Sequence, residues 1–144
     1  GMVYVYARVV DQNGDSDEQS PLKQAPSHYR LSASFKAHSH YITRISFTPD
    51  GQSLCTCSAD GTCRLFSVPP PSTATATSDY IHERTFTGHQ RWVWDCAFSA
   101  DSAYIMTAAS DNTARLFERR TGDIVSVFTG HSKAITSIAL NDIP

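Results

Sequence analysis

Charge is scarce in this 144-residue chain: 18% of its residues are Asp, Glu, Lys or Arg, and 12 basic against 14 acidic side chains leave a formal net charge of −2. A chain so near neutrality has no basic footprint for a phosphate backbone, which excludes nucleic acid as an expected partner. Apolar runs stay well short of the roughly 18 residues a membrane-spanning helix needs, and the N-terminus has neither the basic stretch nor the apolar core of a secretory leader. Gly1-Met2 reads either as a protease-cleavage remnant ahead of a start methionine or as native turn sequence. The expectation is a soluble cytoplasmic chain with no membrane span. Glycine and proline number only 7 each while 40% of residues are hydrophobic, so neither a fibrous nor a disordered chain is indicated. The length suits about one domain.

Cysteine is sparse as well. Cys55, Cys57 and Cys63 fall close together and Cys96 stands apart. A C-x-C followed by a single cysteine supplies three thiolates and no fourth ligand within sequence reach, unlike the paired C-x₂-C knuckles of structural zinc. These residues are therefore expected as small buried hydrophobes. Asp11, Asp15, Asp17 and Glu18 fit no calcium-loop spacing and read as a solvated linker. No metal and no cofactor is expected.

What the chain does have is repetition. Leu54-Cys55-Thr56-Cys57-Ser58-Ala59-Asp60-Gly61-Thr62-Cys63-Arg64-Leu65-Phe66 aligns without gaps on the segment from Ile105 to Phe117, 51 residues further on. His38 precedes Thr56 by 18 residues and Asp60 by 22, and His89 precedes Thr107 and Asp111 by the same distances. A third Gly-His, Gly130-His131, follows His89 by 42 residues, and the insertion Pro69 to Thr77 explains the longer first repeat.

Inside each repeat apolar residues alternate with period two: Ile45 and Phe47 in one, Cys96 and Phe98 in the other. Turn signals separate the runs at Pro49-Asp50-Gly51, Ala59-Asp60-Gly61, Ser110-Asp111-Asn112 and Thr121-Gly122-Asp123. Strands are predicted near 3–6, 29–36, 41–47, 53–58, 62–67, 80–87, 92–98, 103–108, 113–118, 123–129 and 134–140, with no helix. The fold class is all-β.

Four-stranded repeats of about 42 residues that open on Gly-His and close on Asp-x-Thr-x-Arg-Leu and an aromatic resemble the WD-repeat family of β-propellers. The resemblance implies a partial propeller. Residues 1–36 would end one blade and carry an acidic loop at 11–28; 37–87 and 88–129 would be complete blades; 130–144 would supply the first strand of a last one. It further implies two structural hydrogen-bond sets, His38 with Thr56 and Asp60, and His89 with Thr107 and Asp111. A trio repeated in two blades suits a structural device better than a catalytic triad, so no enzyme activity is expected. Phe66 and Phe117 stand where the family carries Trp. His28, His40 and His82 match no repeat position and are expected in loops or at the surface. Two blades cannot close a ring, which predicts self-association.

The stretch from Arg91 to Leu116, with Trp92-Val93-Trp94, is similar to the family of small G-protein-beta-like WD-repeat subunits of TOR kinase complexes, as are Tyr4-Val5-Tyr6, Cys55 to Asp60 and Ile138 to Asp142. That likeness implies a non-catalytic scaffold that docks on and steadies the TOR kinase catalytic domain in nutrient and growth signalling, in the cytoplasm and, through its complex, on endomembrane surfaces. Tyr41, Arg44, Arg91, Trp92 and Trp94 follow the Gly-His positions and are the expected partner-binding residues, since Trp, Tyr and Arg dominate protein interfaces. The alternative is an adaptor of another complex, such as a ubiquitin-ligase substrate receptor, for which two arginines are few.

Overall fold

The computed structural model describes residues 1–9, 28–69 and 79–141. The acidic loop, apart from His28, and the low-complexity insertion from Pro70 onward lie outside the described residues. Among the described residues there are ten strands and no helix: β1 (Met2–Val9), β2 (His28–Lys36), β3 (Ile42–Phe47), β4 (Ser53–Ser58), β5 (Cys63–Ser67), β6 (Ile81–Phe86), β7 (Val93–Phe98), β8 (Tyr104–Ala109), β9 (Ala114–Glu118) and β10 (Ile124–Phe128). They form an antiparallel pair, β1-β2, and two four-stranded antiparallel meanders, β3-β4-β5-β6 and β7-β8-β9-β10. His82, expected in a loop or at the surface, is exposed on strand β6.

Segment 134–140, expected as the first strand of a further blade, is not a strand. Strand geometry is held by a ladder partner. Here the Ile135 N–H donates to Ala109 O at 3.1 Å and the Ile138 N–H to the Asp95 carboxylate at 3.1 Å, an irregular stretch of chain leaning on β7 and β8 rather than a paired strand.

The tight turns follow their residues. Gly51 and Gly61 take φ of 68° and 84°, and Asn112 takes 64° where the second blade repeats the Gly61 position. This is left-handed backbone that Gly and Asn adopt at least cost. At Gly61 space matters too: an added Cβ would sit 3.0 Å from His89 O, so the first blade's turn abuts the second blade's entry.

Strict alternation fails in β4. All six of its residues are buried, because the strand lies inside its sheet and has neighbours over both faces. One core joins the two blades, with Leu65 and Phe86 from the first packed against Val93, Ile105 and Phe117 of the second, and the Phe86 and Phe117 rings 5.4 Å apart. A second core of Val3, Ala37, Leu54 and Phe66 fastens β1-β2 to the first blade, where Phe35 lies 4.8 Å from Phe66. Phe66 and Phe117 thus fill the Trp positions as buried rings.

Polar contacts cross the same seam. The Thr43 hydroxyl donates to Val93 O. Arg119 reaches back 2.9 Å to Asp50 and 2.7 Å to the Ser53 hydroxyl, and Arg84 donates to Thr121 O at 2.6 Å.

Candidate functional site

Each repeated histidine ends the approach to a first strand, and the fold brings its two polar partners to it. His38 Nδ1 lies 2.9 Å from Asp60 Oδ2 and Nε2 lies 2.8 Å from Thr56 Oγ1. In the second blade, His89 Nδ1 is 2.9 Å from Asp111 Oδ2 and Nε2 is 2.7 Å from Thr107 Oγ1. A carboxylate only accepts, so Nδ1 carries the proton, and Nε2 accepts from the threonine hydroxyl. Burial holds both imidazoles below their ordinary 6.5, against the opposing pull of the aspartates. Each ring is therefore neutral at pH 7.

Sequence reasoning missed one member of each set. Thr62 and Thr113 donate from both hydroxyl and backbone N–H to Asp60 and Asp111, with hydroxyl distances of 2.6 and 2.7 Å. The signal was present: an Asp-x-Thr in each turn is the spacing of an Asx-turn with a side-chain bond added. At Asp111 burial pushes the carboxyl up, but bonds from Thr113, His89 and the Gln90 N–H outweigh it and bring the group down to about 2.

Above these networks lies the surface marked by aromatics and arginine. Tyr41 is 76% and Trp92 44% exposed, so both present ring surface to solvent. The Trp92 and Trp94 rings sit 5.4 Å apart at 45°. Trp94 is half-buried and its indole N–H donates to the Ser110 hydroxyl at 2.6 Å. A β-bulge places it there: pairing jumps from Val93↔Ala109 to Asp95↔Ala108, and β3 has the same irregularity between Ile42 and Arg44. Arg91 is exposed beside Trp92, where Asp60, Gly61, Gln90 and Ser110 line a concavity of about 470 Å³ between the blades.

Arg44 has a different position. Its Nε lies 3.2 Å from Asp95 Oδ1, so it ties β3 to β7. Asp95, which sequence reasoning did not single out, is 8% exposed and also accepts from Ile138 N–H. Nothing in its spacing announces this, because its partners come from two other segments.

The family model for "WD domain, G-beta repeat" matches residues 29–67 and 81–118, about half of the chain. The chain is 49% identical over 125 residues to the target of rapamycin complex subunit LST8 of Saccharomyces cerevisiae, covering 87% of this chain and 39% of that protein. It is 40% identical over 119 residues to the LST8 homolog of Drosophila melanogaster, covering 83% of this chain and 35% of that protein. The chain thus spans well under half the length of these relatives. Among solved structures, U3-55K superposes with a TM-score of 0.61 at 21% identity, over 73% of this chain and 31% of that one, a likeness of fold.

Proposed function

Because this chain belongs to the WD-repeat family, we propose that it is a non-catalytic interaction scaffold that acts as a TOR complex subunit by docking on the kinase catalytic domain. The observation that supports this most is the exposed surface of Tyr41, Arg91 and Trp92 backed by Trp94, on a chain similar to LST8 proteins over most of its length. Desolvating large rigid aromatics and an arginine gains much at little entropic cost. Arg44, tied to Asp95, braces this surface and contributes through its exposed flank. With that arginine engaged, the arginine cluster a phosphopeptide-reading adaptor needs is not gathered here. The location that follows from this role is the cytoplasm and the membrane surfaces its complex visits.

The test uses the purified TOR kinase catalytic domain and this chain in a binding titration. Trp92→Ala is expected to weaken binding by about 30-fold, the effect of a hot-spot anchor worth about 2 kcal/mol, and to leave the melting temperature nearly unchanged. Trp94→Ala should lower both, since it loses the Ser110 bond and its packing. Equal affinity for wild type and Trp92→Ala would place the docking surface elsewhere.

The second proposed partner is another copy of the chain. Ile124, Val125, Val127 and Phe128 are exposed on β10, the edge strand of the second meander, whose unpaired backbone and apolar side chains are open to a second copy. Sedimentation equilibrium is expected to give a mass above the 15.8 kDa of one chain. A single species at that mass across the concentration range would refute self-association.

A further inference from the structure

Sequence spacing offers three neighbouring cysteines and no fourth, but the fold brings the fourth from the next blade. Cys55 and Cys57 lie on β4, Cys63 is the direct cross-strand partner of Cys57 on β5, and Cys96 lies on β7. The sulfurs of Cys55, Cys57 and Cys63 are all within 4.8 Å of one another, and Cys96 Sγ is 3.9 Å from Cys55 Sγ. All four are free thiols, with exposures of 0, 0, 1 and 5%.

We propose that this cluster is a binding site for a soft monovalent cation, copper(I), held between the two blades. Sulfurs sharing a metal at about 2.3 Å lie about 3.8 Å apart in tetrahedral and about 4.6 Å apart in linear coordination. The Cys55–Cys96 spacing of 3.9 Å falls in that range. The Cys57–Cys63 pair, at 2.9 Å, is closer than that and has to widen when a metal is bound. Thiolates select copper(I) and zinc among the common metals, and the number of sulfurs gathered within reach of one ion decides between these two. Among the described residues the hydrogen-bonding contacts of these sulfurs are with one another, and Leu65, Phe86 and Val93 pack around them. Among the described residues no N–H is bonded to these sulfurs, and burial pushes the Cys63 thiol up. Uncompensated charge in an apolar interior is costly, which limits how many of these thiols give up their protons. Zinc is almost always held by four ligands in such sites, and Cys96 lies outside the group of three sulfurs mutually within 4.8 Å; copper(I) is satisfied by two thiolates, carries −1 with them and leaves two neutral thiols in place. On binding, two S–H bonds break, two Cu–S bonds form and two protons leave to solvent, with no electron transferred. Because Cys96 belongs to the second blade and the others to the first, the bound ion ties the blades together.

The full reduced chain is titrated anaerobically with copper(I), supplied as its acetonitrile complex, against a competing chelator, and in parallel with zinc(II). Expected are one copper(I) per chain, an ultraviolet thiolate-to-copper charge-transfer band, release of two protons and a raised melting temperature. Cys63→Ala and Cys96→Ala should each weaken binding by about 100-fold, at the upper end of what losing part of a metal's coordination environment costs, with circular dichroism reporting whether they fold. If neither variant folds, the wild-type stoichiometry and charge-transfer band decide. Copper(I) lost entirely to the chelator, zinc(II) bound in preference, Cys96→Ala binding like wild type, or the thiols recovered as a Cys57–Cys63 disulfide instead of a copper complex would each overturn the proposal.

Discussion

Phe117→Ala is expected to lower the stability of the fold by about 3 to 5 kcal/mol, the cost of deleting a fully buried aromatic ring and leaving a cavity behind. The ring is 1% exposed and packs against Phe86 from the other blade, so its loss empties the seam that joins the two meanders. Domains hold about 5 to 15 kcal/mol in all. The variant should therefore be partly unfolded near physiological temperature, with its urea midpoint far below that of wild type. Phe47→Ala serves as the control: that ring is 55% exposed, and its removal should cost within about 0.5 kcal/mol. Similar midpoint shifts for the two would mean that the interblade core does not carry the fold.

Asp111→Ala removes the acceptor on which Thr113, His89 and the Gln90 N–H converge, and should cost about 1 to 3 kcal/mol. Its signature is in the pH dependence. Asp111 has its folded pKa lowered to about 2, so the stability it contributes is present above its unfolded value near 3.8 and is lost as pH falls toward 2. His38 and His89 are also lowered, from 6.5. They stay neutral in the fold while the unfolded chain takes up protons, so stability begins to fall as pH drops below 6.5. Wild type should thus show a level melting temperature above pH 7, a decline below 6.5 and a steeper one below 4. In Asp111→Ala the step below 4 should shrink, with Asp60 still contributing its share. An unchanged profile in the variant would show that the carboxylate is not coupled to folding.

The repeat itself was legible before any coordinates. Ten of the eleven expected strands are present with boundaries that agree to within three residues, because period-two patterns and Asp-Gly or Asp-Asn turns are local signals that a strand and its hairpin obey together. The eleventh, 134–140, shows the limit. Strand structure is a property of a pair, and this segment meets the Asp95 carboxylate and the Ala109 carbonyl of the second blade instead of a ladder.

The surface was legible only in part. Tyr41 and Trp92 could be named from their place after each histidine, but whether they face solvent or their own blade depends on bulges that shift the facing of β3 and β7 and are invisible to a pattern of strict alternation. Arg44 reads as a free anchor in sequence and is an interblade tie in space.

By itself, then, the sequence determined the repeat, its all-β character, the two His-Thr-Asp sets and the turns between strands, since each rests on residues a fixed distance apart along one chain. Tertiary structure alone decided which groups meet across the seam. Asp95 gathers Arg44 and Ile138, Phe86 finds Phe117, and Cys96 closes on Cys55 because two sheets stack. Such contacts depend on how one sheet lies on the next, so packing sets them even where, as for Arg44 and Asp95, the separation is the 51-residue repeat itself.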